Sequence, residues 1–239
     1  MAADRSRADS LRWVAQGTAI FFGALAALPD DRLEGPTALD GWSGRHLLAH
    51  VAANADALVN LAHWARTGEE RPMYSSPAQR DADIEAGARR PADELRAWAA
   101  QAAETLDARL AELDEQQWNH EVRTAQGRTV PAEEVPWMRA REVMVHAVDL
   151  GAGVEFDDLP DDFLAALIDD IAAKRSGAAG PALALTATDH GGTWTVSGDG
   201  DPAPVTGTLG GLAAYLSGRR SDGVTGTGGG PAPELPRWL

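Results

Sequence analysis

The chain has 239 residues, a formal net charge of -15 and no cysteine. That length carries one full core or two modest ones, and the acidic balance, with a pI near 4.7, repels phosphate backbones and so excludes nucleic acid as a natural partner. Without a thiol there are no disulfides, no thiolate zinc ligands and no protein-borne sulfur nucleophile, so any sulfur chemistry has to arrive on a ligand. The longest strongly apolar run, Ala19 to Leu28, is too short to span a bilayer, and Asp4 and Asp9 interrupt the basic start of a signal peptide. A cytoplasmic protein with no membrane partner is expected.

In chain order, Leu11, Val14, Thr18, Phe21, Phe22, Leu25 and Leu28 recur at helical spacing and predict a first helix from Ala8 to Leu28, ended by Pro29 and Asp30. Ser43 is an N-cap for a long helix reaching Thr67, with Gly68 as its stop. Glu69 to Pro77 reads as a loop, followed by a short helix through Gly87. Pro91 opens a further long helix bearing Leu95, Trp98, Leu106, Leu110 and Leu113. Thr124 to Thr129 is turn-like, and Pro131 opens the fourth long helix, which carries Trp137, Met138, Val145, Val148 and Leu150 and stops at Gly151 or Gly153; Pro136 marks a second possible start.

Beyond Gly153 the pattern shifts. Asp161 to Arg175 reads as a helix, Leu183–Thr188 and Thr193–Ser197 as strands around an Asp189–Gly192 turn, Pro204–Thr208 as a third strand and Leu209–Ser217 as a short helix. The Gly- and Pro-rich stretch Thr225–Pro233 reads as irregular. The fold class is therefore an α bundle of four helices, residues 1–152, followed by a smaller α+β domain, residues 153–239.

Within the fourth helix, Glu142 and His146 stand four apart, on one helical face. Such pairs also occur as surface ion pairs, but the apolar neighbours Met138, Val145 and Val148 turn this one inward, where buried charge requires a partner. His50, inside the second long helix, supplies a third ligand if the two helices face one another, as metal sites of bundles are built. Two imidazoles and a carboxylate suit zinc and leave one coordination position open, the arrangement of a catalytic metal. His46 forms its own i, i+4 pair with His50; His63, His120 and His190 read as structural or solvent-facing. Asp149, three residues beyond His146, is placed to accept its second ring proton, and Trp42 and Trp137 to wall a pocket.

Several stretches carry a family resemblance: G-W-S-G-R-H-L-L-A-H-V at Gly41–Val51, G-E-E-R-P-M-Y at Gly68–Tyr74, A-Q-G-R-T-V-P at Ala125–Pro131, W-M-R-A-R-E-V-M-V-H-A-V-D-L-G at Trp137–Gly151, G-R-R-S-D-G-V at Gly218–Val224 and the ending at Leu235–Leu239. They resemble the mycothiol-dependent maleylpyruvate isomerases. The resemblance implies a DinB-like four-helix bundle followed by a sterol-carrier-like domain, zinc held by His50, Glu142 and His146, and mycothiol, a cysteinyl sugar thiol, as cosubstrate. It also implies a functional arginine in the C-terminal domain, which falls on Arg219 with Arg220 adjacent.

The implied reaction is the cis-trans isomerisation of maleylpyruvate, a small dicarboxylate, to fumarylpyruvate by reversible thiolate addition. Lys174 is the only lysine, so arginine forks have to hold the two carboxylates: Arg219 first, then Arg139, Arg141 and Arg128, each of which also reads as an ordinary surface or capping arginine. A mycothiol S-transferase acting on other electrophiles would use the same site, and a third alternative is a binding module with a structural metal. A monomer or weak homo-oligomer is expected.

Overall fold

The structure, a computed structural model, describes residues 5–235; Asp4 and the last four residues of the closing motif lie outside the described residues. Arg7–Gly153 make one compact unit and the chain from Val154 onward a second.

In the first unit, α1 (Arg7–Ala27) buries Trp13, Val14, Phe21, Ala24 and Leu25 along one stripe. It lies against α6 (Glu134–Asp149), and Gly17 permits the approach, because a Cβ there would come within 2.6 Å of Val143 and 2.9 Å of Met144. The central helix is α2 (Gly44–Thr67), packed against α4 (Ala92–Ala111) and α6. Its ends follow the sequence: the Ser43 N–H donates to His46 Nδ1 at 3.3 Å, and Gly68 closes the helix at φ 76°, a conformation open chiefly to glycine. Leu58, Leu61, Leu106 and Leu110 fill the α2–α4 seam.

α3 (Pro77–Ala88) is the short helix expected after the loop; Ser76 caps it by accepting from the Gln79 N–H at 3.0 Å. Gly87 lets it lie on α2, since a Cβ there would meet Trp98 at 2.6 Å and Ala49 at 2.9 Å. A short helix, α5 (Glu115–Trp118), follows α4.

Two expectations change in the first unit. Pro91 stands just before α4 as its cap, and Pro131 does not open the fourth long helix. It ends β2 (Thr129–Pro131), which pairs antiparallel with β1 (Glu121–Arg123); the turn at Thr124–Thr129 is the tip of this hairpin. The next two amides, of Ala132 and Glu133, donate to the carbonyls of His120 and Trp118, so the chain is tied to the hairpin until Glu134. Pro136 then falls in the first turn of α6, where its missing N–H has no intrahelical partner to lose.

The second unit has α7 (Asp161–Arg175), β3 (Pro181–Ala187), β4 (Thr193–Val196), β5 (Asp199–Gly207), α8 (Leu209–Leu216) and β6 (Val224–Thr225). The sheet order is β4-β3-β5-β6, with β3 and β5 parallel and the other pairs antiparallel. The third strand starts at Asp199 rather than Pro204, because pairing with Pro181 at the sheet's end overrides the turn-like sequence Asp199–Pro202. β6 has no counterpart in the sequence reading; it joins Val224, the end of the Gly218–Val224 motif, to Thr225, the first residue of the stretch read as irregular. No helix among the described residues is long and apolar enough to cross a membrane.

Candidate metal centre

His50 lies on the second turn of α2, and Glu142 and His146 stand one turn apart on α6. The packing of these two helices brings the three side chains together from positions 92 residues apart. Glu142 Oε2 sits 2.9 Å from His50 Nε2 and 3.2 Å from His146 Nε2, and the two rings meet edge-on with centroids 5.0 Å apart. One ligand atom from each lies within 4.8 Å of the other two. Both histidines are buried, while the Glu142 side chain keeps 24% of its surface exposed, so the cluster opens to one side.

The fit to a divalent metal is good on the donor chemistry. Two nitrogens and one carboxylate oxygen, gathered within 4.8 Å of one another, are the set that zinc takes with a position left over. His146 is also held from behind, with Nδ1 2.9 Å from the fully buried Asp149 Oδ2; this fixes the tautomer with Nε2 free as a donor. The charges respond to each other. Burial lowers the His50 pKa against the pull of Glu142. Burial opposes the charged form of His146 as well, but the bonds to Asp149 and Glu142 outweigh it and push this ring up to about 9. Glu142 stays ionised, held well below the usual carboxylate range by both imidazoles despite burial.

The other residues singled out from sequence divide clearly. Trp42 packs edge-on against His50 with centroids 5.3 Å apart and walls the site, whereas Trp137 is buried against Trp13 of α1. His46 is used in the α2 cap and by Glu85, 3.5 Å from its Nε2; His63 lies 3.7 Å from Glu69 and His120 bonds the Ala65 carbonyl. Arg128 is exposed at the hairpin tip, and Arg141 lies over the Trp137 ring.

Arg139 corrects its expected surface or capping role. It is only 1% exposed, donating from Nη1 to the Val51 carbonyl at 2.8 Å and to Asn54 Oδ1 at 3.0 Å. A guanidinium one turn before Glu142 thus clamps α2 just past His50. Burial lowers its pKa to about 10, opposed by Glu142 and Asp107. Arg80 of α3, with Nη2 3.4 Å from His50 Nδ1, carries no sequence signal; Tyr74, a phenol pushed up to about 12 by burial and by Glu142, ends the Gly68–Tyr74 motif but is given no role by sequence. In the second unit, Arg219 donates to the Ser217 carbonyl at 2.9 Å, and Arg220 pairs with Glu155 at 2.6 Å and Asp222 at 3.0 Å.

Donors gathered from facing helices of a bundle, with an α+β unit following in the chain, define a helical-bundle protein with a site able to hold a metal ion. The chain belongs to the mycothiol-dependent maleylpyruvate isomerase family of enzymes: the model for the mycothiol maleylpyruvate isomerase N-terminal domain matches residues 14–151, and that for the family's C-terminal domain matches residues 158–237. Among solved structures, the crystal structure of the mycothiol-dependent maleylpyruvate isomerase is 42% identical, with a TM-score of 0.93 over 98% of each chain. A histidine-to-alanine mutant of that isomerase is likewise 42% identical, with a TM-score of 0.92 over 98% of each chain. A search of curated proteins returns no match.

Proposed function

We propose that this protein isomerises maleylpyruvate to fumarylpyruvate with mycothiol as cosubstrate. The observation that carries this reading is the coincidence of a near-full-length likeness to the mycothiol-dependent maleylpyruvate isomerase with a three-donor cluster at His50, Glu142 and His146. These three residues would hold the metal, for which zinc best suits the donor set. A bound zinc ion supplies an open coordination position that keeps a thiol deprotonated near neutral pH.

Around it the chain's own groups act. Asp149 holds the His146 proton at Nδ1 so that Nε2 faces the site, and Trp42 shields one side of His50 from water. The thiolate sulfur adds to the cis double bond, whose π pair moves onto the conjugated carbonyl oxygen. Rotation about the resulting single bond and return of that pair expel the sulfur and leave the trans product, with no net redox change. Arg219 is the group assigned to a substrate carboxylate and to the developing enolate, with Arg220 beside it as a second contact to mycothiol or substrate. This reading keeps a metal-binding domain at residues 1–152 and a second domain at 153–239. It places the enzyme in the cytoplasm, where a small thiol stays reduced, as a monomer or weak homo-oligomer.

The test is an absorbance assay of maleylpyruvate with and without mycothiol, on the wild type and His50→Ala. Turnover that needs thiol and metal, with the thiol regenerated, is the expected result. Stoichiometric loss of thiol would instead assign a mycothiol S-transferase, and turnover without thiol or metal would overturn the proposal. Unfolding of the bundle on metal removal would mark the ion as structural.

A further inference from the structure

The two imidazoles of the metal centre are backed unequally. A neutral imidazole has one N–H, and when Nε2 serves as the metal donor that proton sits on Nδ1 and needs an acceptor. His146 has one in Asp149. His50 instead faces the Arg80 guanidinium, Nη2 to Nδ1 at 3.4 Å, and a guanidinium only donates. With His50 in its ligand form, both groups at that edge are donors, and what the edge lacks is an acceptor.

The surroundings say which acceptor fits. The Tyr74 phenol lies within electrostatic reach of Glu142, Arg80 and Arg139. Apart from these contacts, Arg80 has an ion pair with its exposed neighbour Asp81 at 2.9 Å, a surface contact of small worth. The Arg80 side chain keeps 32% of its surface exposed, enough to meet a molecule entering the site. Arg139, buried behind, adds a fixed positive charge without touching solvent. Arg80 is thus the partly exposed positive charge next to the donors, in a corner whose carboxylates are Glu142, Asp149 and Asp81, with Asp107 and Asp56 near Arg139.

We propose that Arg80 and Tyr74 form a carboxylate-binding subsite beside the metal centre, which holds one carboxylate of the dicarboxylate substrate and selects it over neutral electrophiles. The carboxylate accepts from the guanidinium, from the phenol O–H and from His50 Nδ1–H, and so completes the backing of the second imidazole. The inference rests on the isomerase reading for the identity of the substrate, but the subsite can be tested by binding alone.

The probe is maleate, titrated calorimetrically into zinc-saturated protein, with zinc affinity measured separately by chelator competition. Arg80→Met should weaken maleate binding about 10- to 100-fold, the effect of one lost charge-assisted bond pair, and Arg80→Lys should recover part of it. Tyr74→Phe should weaken it by less, and Arg89→Met, at the exposed end of the same helix, should leave it unchanged. In turnover, KM for maleylpyruvate should rise with Arg80→Met while KM for mycothiol stays. Maleate affinity that is equal in wild type and Arg80→Met, or absent in both, overturns the subsite; so does a loss of zinc affinity that alone accounts for the change, since Arg80 would then only prop His50. If wild type binds maleate through Arg80 yet does not turn over maleylpyruvate, the isomerase reading fails and the subsite stands.

Discussion

His146 is held by carboxylates at both ends, with Nε2 3.2 Å from Glu142 Oε2 and Nδ1 2.9 Å from Asp149 Oδ2. The second contact is the one that survives when Nε2 turns to a metal, so its removal should act on the ion and not on the fold. Asp149→Asn is expected to lower zinc affinity about 10- to 100-fold, measured by competition with a chromophoric chelator, while the helical circular dichroism stays unchanged. An unaltered affinity would show that Asp149 does not orient the ring.

Two glycines of α1 should respond in opposite directions to the same substitution. At Gly17 a new Cβ would meet Val143 at 2.6 Å, whereas at Gly23 nothing lies within 4 Å. Gly17→Ala should cost about 1–3 kcal/mol by overpacking the α1–α6 seam, and Gly23→Ala should stabilise by about 0.5–1 kcal/mol through helix propensity and unfolded-state entropy. Urea unfolding of both variants tests the pair; equal effects would mean that α1 and α6 are not in close contact at Gly17.

The Arg139 clamp should be energetic and cooperative with Asn54. Arg139→Met is expected to cost about 1.5–3 kcal/mol, because it strands the buried Asn54 Oδ1 that the guanidinium now satisfies at 3.0 Å. In a double-mutant cycle with Asn54→Ala, the two losses should fall short of adding. Strict additivity would place the stabilisation elsewhere on the guanidinium.

At high pH the signal should come from the phenols, of which there are two. Burial pushes Tyr215 up to about 12, against the pull of Arg175, and its hydroxyl donates to the Pro233 carbonyl at 2.6 Å. A folded-state pKa above the unfolded value of about 10 means stability that is fully present below pH 10 and lost as pH rises toward 12. In Tyr74→Phe, absorbance at 295 nm should therefore show little phenolate at pH 11 until the protein unfolds. A midpoint near 10 in the folded state would contradict the buried hydrogen bond.

Much of this was legible in the sequence because it is local. Ser43 and Gly68 bracket α2 by capping and left-handed backbone, and the four-residue spacing of Glu142 and His146 puts them on one face whatever surrounds them. Their meeting with His50 rested on the expectation that α2 and α6 face one another, and the choice of His50 over His46 on the family resemblance. What escaped depends on distant partners or on very short elements. Arg139 looks like any helical arginine until Val51 and Asn54 arrive from α2. Strands of three residues, such as Glu121–Arg123, are too short to display alternation, so only their turn was visible. Arg80 reaches His50 through the way α3 rests on α2 at Gly87, and no motif announces that crossing.

Because His50 and the Glu142–His146 pair are separated by 92 residues, the order of synthesis bears on when the ion is taken up. A nascent chain that has emerged only as far as Pro131 offers one of the three donors, and the grip tightens only after Asp149 has followed. An ion that needs all three donors would thus be taken up only once the last long helix of the first unit has docked.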